Sequence, residues 1–230
     1  MRRILALIVA TGLAASVVAL ASPAGAQTGN LSAFCAAREE ANSAQTKAEN
    51  TAVIQKIFDA APAAAIPAIT LIRDGFAKKG DKFFQSGPGT AALAQLDSYV
   101  YDNCPGVKVP ITAIDYEFDG VPATLAAGAT NFKLTNNAPK EDHEMAIMRV
   151  LPAGESIDPL KILALPDKKA GKYVDFSKSA FMFAPPGQSG YTPLTLEPGK
   201  YIYACFLPQG GKKDGKPHFT LGMNGSFTVQ

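Results

Sequence analysis

The sequence predicts an α+β chain of two parts: a small N-terminal helical bundle, then an all-β sandwich. Two observations carry this. Residues 31–104 are dominated by Ala, Glu, Gln and Lys with few β-branched runs, a composition that suits helices. From Val107 onward, short apolar stretches alternate with Gly, Pro and Asn turns, the texture of a sandwich. Pro105-Gly106 separates the two textures, giving parts 27–104 and 107–230 behind a leader at 1–26.

In the helical part, Asn30 is placed to cap a first helix beginning at Leu31, which carries Phe34, Cys35 and Ala41. A second helix holds Val53, Ile54, Ile57 and Phe58 on one face, and Pro62 interrupts it. A third runs from Ala63 to Lys79, with Ile66, Ile69, Leu71, Ile72 and Phe76, and Gly80 ends it. Ser86-Gly87-Pro88-Gly89 reads as a loop, with Thr90 as N-cap of a last helix, Ala91–Tyr101. Phe76, Phe83, Phe84, Tyr99 and Tyr101 are expected in the bundle core, and its lysines on solvated faces.

In the second part, Ile114–Phe118 reads as a strand before the Asp119-Gly120 turn, and Thr130–Asn136 as another. His143 stands at the head of a strand Met145–Val150. Ile157–Leu165 reads as a short helix started by Ser156 or Asp158. Phe181–Ala184 with Pro185-Pro186-Gly187 reads as a loop across one face. Tyr191–Leu196 is a strand that Glu197-Pro198-Gly199 turns into the Tyr201–Phe206 strand, and Ser226–Val229 closes the fold.

The N-terminus has the form of a secretory signal: Arg2-Arg3, an apolar run Ile4–Leu20, and Ala24-Gly25-Ala26 before Gln27. The expected location is therefore periplasmic or extracellular, in a bacterial setting. The run is short for a membrane span, and no second run follows. Without Arg2 and Arg3 the remaining 20 basic residues balance 20 acidic ones, which argues against nucleic-acid binding. About 200 residues remain, enough for one large or two small domains. Three cysteines in an exported chain leave one unpaired. A Cys35–Cys104 disulfide would tie the ends of the helical region together, stabilising by roughly 4 kcal/mol through loop-closure entropy. Cys205 is then a lone thiol.

Cys205 has company. His218 and Met223 lie on the same hairpin, and His143 is the one other histidine in the chain. A thiolate, two imidazoles and a weak thioether form the donor set of a mononuclear blue-copper site. Each residue alone has a plainer reading. His143, among Glu141, Asp142 and Glu144, looks exposed and easily protonated. His218 could be a loop residue, and Met223 and Cys205 could be core. Met145, Met148 and Met182 are expected to pack. The three carboxylates beside His143 could make a harder metal site, though such groups are usually solvated.

Residues 107–230 resemble a cupredoxin, the β-sandwich family of plastocyanin and azurin. The matching pieces are Asn136-Asn137 before His143, the Pro198-Gly199 turn, the strand with Tyr201, Tyr203 and Cys205, and the ending His218-x-x-x-Gly222-Met223. The resemblance implies a cupredoxin-like Greek-key sandwich, one copper ion on His143, Cys205, His218 and Met223, and electron transfer to a redox protein partner. Copper storage or delivery, with a copper donor or acceptor as partner, would use the same ligands. The sequence departs from the family in one respect: His218 follows Cys205 by thirteen positions, with a Gly- and Lys-rich stretch between. A longer loop costs little in closure entropy, about 0.6 kcal/mol per doubling. A metal-free binding module of the same fold is the structural rival, in which Cys205 packs in the core and the loop carries His218 away. No Ser-His-Asp set, phosphate loop or second metal cluster points to an enzyme, and two histidines are too few for a multicopper oxidase.

Overall fold

A computed structural model describes residues 29–230. The leader and cleavage site expected at 1–26 lie outside the described residues. The first helix, α1 (Leu31–Glu40), starts where the sequence predicts: the Asn30 side chain accepts from Ala33 N–H at 3.0 Å. A reciprocal Thr46–Glu49 box caps α2 (Lys47–Ala60). Helix α3 (Ile66–Lys79) begins three residues later than expected. Residues 63–65 instead form a turn, closed by Ala65 N–H donating to Pro62 O at 2.8 Å.

Helix α4 (Gly87–Asn103) begins earlier than expected. Its cap is Ser86, whose Oγ accepts from Gly89 N–H. Thr90 lies inside the helix, its hydroxyl donating back to Ser86 O at 3.0 Å. The Gly-Pro-Gly run imitates a loop in sequence, but a first turn tolerates proline because its amide has no helical acceptor there. Phe34, Ile69, Phe76 and Leu96 fill the bundle core, and Cys35 is bonded to Cys104 as predicted.

The strands are β1 (Val107–Ile114), β2 (Glu117–Asp119), β3 (Thr124–Leu125), β4 (Gly128–Asn136) and β5 (His143–Val150). Two short helices follow, α5 (Pro159–Leu163), capped by Asp158, and α6 (Asp167–Ala170). Then come β6 (Val174–Ala184), β7 (Ser189–Leu196), β8 (Gly199–Ala204) and β9 (Asn224–Val229). One sheet has the order β2-β1-β4-β7 and the other β3-β9-β8-β5-β6. The connections β4–β5, β6–β7 and β7–β8 cross between sheets, as a Greek-key sandwich requires. Phe132, Leu134, Met145, Ile147, Met182 and Tyr201 fill the space between them.

Two expectations are corrected. Residues 114–118 are not one strand: the chain reverses at Asp115-Tyr116, with Tyr116 at φ +62°, and Ile114 pairs with Glu117 across a hairpin. The alternation Ile114, Tyr116, Phe118 runs through the turn and hides it. Phe181–Ala184 is not a loop but the end of β6, paired with β5 from His143 to Ala146.

Strand β5 sets the site. It is buried on both faces, because the helical parts cover the outer side of its sheet. By the period-2 rule His143, Met145 and Ile147 face the inter-sheet core, and Glu144, Ala146 and Met148 face the other way. Helix α4 packs on β7, where the Tyr101 and Tyr191 rings meet at 5.5 Å.

Candidate metal centre

The ends of three strands converge at one pole of the sandwich. His143 is the first residue of β5, opposite Ala184 of β6. Asn136, fully buried at the end of β4, fixes the approach: its amide donates to Glu141 O and Ala184 O, both at 2.8 Å, and its Oδ1 accepts from Ala138 N–H. The loop that delivers His143 is thereby tied to the strand that faces it. Cys205 follows the last residue of β8, and its N–H donates to Met223 O at 3.0 Å.

The thirteen-residue spacing turns out to be a side excursion. Pro208 and Pro217 pair across its base, and Gln209 N–H donates to Lys216 O at 2.9 Å. Beyond that pinch the chain returns to register. His218 N–H donates to Leu207 O at 2.9 Å and Phe219 N–H to Cys205 O at 2.8 Å, while Met223 N–H closes on His218 O at 3.1 Å. The loop does not carry His218 away, as the metal-free reading expected. Gly210 N–H anchors the excursion to the Glu141 carboxylate. Gly222, at φ +133°, is required by close approach, since a Cβ there would lie 2.7 Å from Tyr116 O.

The outcome is a buried cluster. One donor atom from each of His143, Cys205 and His218 lies within 4.8 Å of the others. Cys205 Sγ is 3.4 Å from His218 Nδ1, and the two imidazole rings are 5.1 Å apart. Met223 is fully buried and belongs to the same inter-sheet cluster as Cys205. Both ring nitrogens of His143 and Nε2 of His218 have no hydrogen-bond partner. His143 is thus not the exposed residue that its acidic neighbours suggest. Burial, reinforced by His218, pushes its pKa down to about 4, and burial lowers that of His218. Burial pushes the Cys205 thiol up to about 12. The donor set therefore consists of neutral imidazoles and a protonated thiol in a water-poor pocket, and it fits one copper ion.

The carboxylates beside His143 do not join this cluster. Glu141 Oε2 stands 3.7 Å from His218 Nε2. Glu144 was expected to be solvated. It is instead buried on the far side of β5, its Oε1 accepts from Phe206 N–H at 3.0 Å, and burial raises its pKa to about 7. Glu144 and Asn136 are the structural residues of the site whose roles the sequence did not reveal. The one available signal was position, since each lies next to a predicted ligand or turn.

These protonation states make a pH prediction. Copper(II) uptake is expected to release one proton, from Cys205, because both imidazoles are already neutral. Apparent affinity should then rise about tenfold per pH unit between roughly pH 7 and 9, above the ordinary imidazole range, measured by competition with a chelator of known pH dependence. A pH-independent affinity would mean that the thiol is not a ligand.

Neither a protein-family model nor a curated protein matches the sequence. Solved structures do match the C-terminal half. Auracyanin in its dithionite-reduced form from Roseiflexus castenholzii is 18% identical over 54% of this chain and 98% of that chain, with a TM-score of 0.35. Auracyanin A from Chloroflexus aurantiacus, described as a "blue" copper protein, is 21% identical over 54% and 98%, TM-score 0.35. Reduced rusticyanin is 21% identical over 55% and 81%, TM-score 0.30. All three are cupredoxins. Copper enzymes also match, among them a nitrite reductase from Thermus scotoductus at 13% identity over 56% and 32%, TM-score 0.32. At such scores the centre is defined by its own donors, not by the likeness.

Proposed function

We propose that the protein is an extracytoplasmic one-electron carrier with a mononuclear copper site formed by His143, Cys205, His218 and Met223. The observation that carries this reading is the buried cluster of His143, Cys205 and His218, in which neither ring nitrogen of His143 has a hydrogen-bond partner. Without a metal each unsatisfied group costs about 1–3 kcal/mol, a poor arrangement for a module that binds nothing. Bound there, copper would supply a Cu(II)/Cu(I) couple. The chain's part is to present two neutral imidazoles, release the Cys205 proton, keep Met223 within the same dry pocket, and exclude water. The Cys205–Met223, Phe219–Cys205 and Met223–His218 backbone bonds hold the donors in a fixed frame, which suits transfer with little rearrangement.

The Cys35–Cys104 disulfide supports an oxidising compartment, in keeping with the leader read at 1–26. No helix among the described residues is long and apolar enough to cross a membrane. In this reading 27–104 and 107–230 are two domains of one exported chain, and the partner is a redox protein. Two histidines in the sequence are too few for the several copper ions of a multicopper oxidase, which favours a carrier over an enzyme of that kind.

The test is a reductive titration of the copper-loaded protein, followed by reoxidation. One electron per copper, taken up and returned with the metal retained, is the expected result. Release of copper on reduction would replace the carrier by a storage or delivery protein.

A further inference from the structure

A cleft of about 530 Å³ lies between the helical bundle and the outer face of the β5–β6 sheet. Protein interiors are packed so closely that voids larger than a water molecule are few, and a volume of this size falls in the range of small-molecule sites. Val53, Ile54 and Ile69 line it from the bundle side, Ala146 and Met148 from β5, and Ile162 from α5. Phe181 stands at its edge, 44% exposed.

The polar groups of the wall are nearly all committed to the protein. Arg38 donates to Asp97 and Asn42, Asn42 donates to Pro193 O, Asn50 to Thr46 O, and Ser179 to Asp175 O. The exceptions are Asp167, which is exposed, and Glu144. Glu144 is 1% exposed and forms no ion pair among the described residues, and one carboxyl oxygen, Oε1, accepts from Phe206 N–H. The other oxygen is left for a ligand.

We infer that this cleft is a binding site for a neutral lipophilic molecule carrying a hydroxyl end, with that hydroxyl donating to the Glu144 carboxyl. The apolar wall supplies affinity through buried area, and one placed polar group supplies orientation. An anionic ligand is disfavoured, because the uncommitted polar groups of the wall are carboxyls, and a cationic one would give up its hydration to a mostly apolar wall. Glu144 follows His143 and Phe206 follows Cys205 in the chain, so the cleft and the metal centre share a wall. The site itself does not depend on the copper reading.

The test uses the metal-free full chain and the neutral fluorophore N-phenyl-1-naphthylamine, with 1-dodecanol as competitor. Saturable one-to-one binding, displaced by the alcohol but not by sodium dodecyl sulfate below its micelle concentration, is the expected result. Ala146→Trp, which fills the floor, should weaken binding at least tenfold. Phe181→Ala, at the exposed rim where folding is not at stake, should weaken it severalfold. Absence of probe binding, or binding unchanged in Phe181→Ala and in a folded Ala146→Trp protein, would overturn the proposal. Since no copper is present, neither result bears on the carrier reading.

Discussion

Replacing Asp97 with alanine is expected to lower stability by about 3–5 kcal/mol, the usual cost of leaving a buried charge without its partner. Arg38 and Asp97 are 7% and 3% exposed and form a two-pronged pair, with Arg38 Nη2 donating to Asp97 Oδ2 at 2.7 Å and Nε to Oδ1. Burial pushes the Asp97 carboxyl up, and the guanidinium offsets part of that shift. The pair also joins the two halves of the molecule: Arg38 Nη1 donates to Asn42 Oδ1, and Asn42 Nδ2 donates to Pro193 O on β7. Denaturant unfolding of the variant at neutral pH measures the loss. The double replacement Arg38→Met with Asp97→Leu should recover most of it, because both desolvation costs disappear with the charges. A single-variant loss under about 1 kcal/mol would show that Arg38 finds water, as surface pairs do.

Much of the sandwich and the clustering of His143, Cys205 and His218 could be read from the chain, for identifiable reasons. Tyr201, Tyr203 and Cys205 alternate in register with β8, so the strand and the residue after it were visible. His218 and Met223 fall where a five-residue turn places them beside Cys205. The Asn30 cap and the Cys35–Cys104 bond followed from local chemistry and from counting. What could not be read depends on contacts distant in sequence. The Pro208–Pro217 bridge makes a thirteen-residue spacing behave as a short one, and nothing in the local pattern announces a pairing of two prolines. Glu144 reads as solvated because an isolated antiparallel sheet leaves one face wet. Here α5, α6 and the bundle cover that face, and a carboxyl is buried next to His143. The same layering buries His143 and reverses its expected ease of protonation. Local errors had local causes: Gly87-Pro88-Gly89 resembled a loop while being a helix's first turn, and Tyr116 continued a strand alternation across a hairpin.

The central claim is that Cys205 is a thiolate ligand of one copper ion, and its removal has the second of the two largest expected effects. Cys205 Sγ lies against His218 Nδ1 in the buried cluster, and it is the one free cysteine among the described residues. Serine keeps the volume but supplies no soft, readily ionised donor. The deciding measurement is the visible absorption spectrum after one equivalent of Cu(II), recorded for the protein and for Cys205→Ser. The account predicts an intense thiolate-to-copper charge-transfer band in the first and its complete loss in the second. Identical spectra, or copper retained by neither protein, would contradict it.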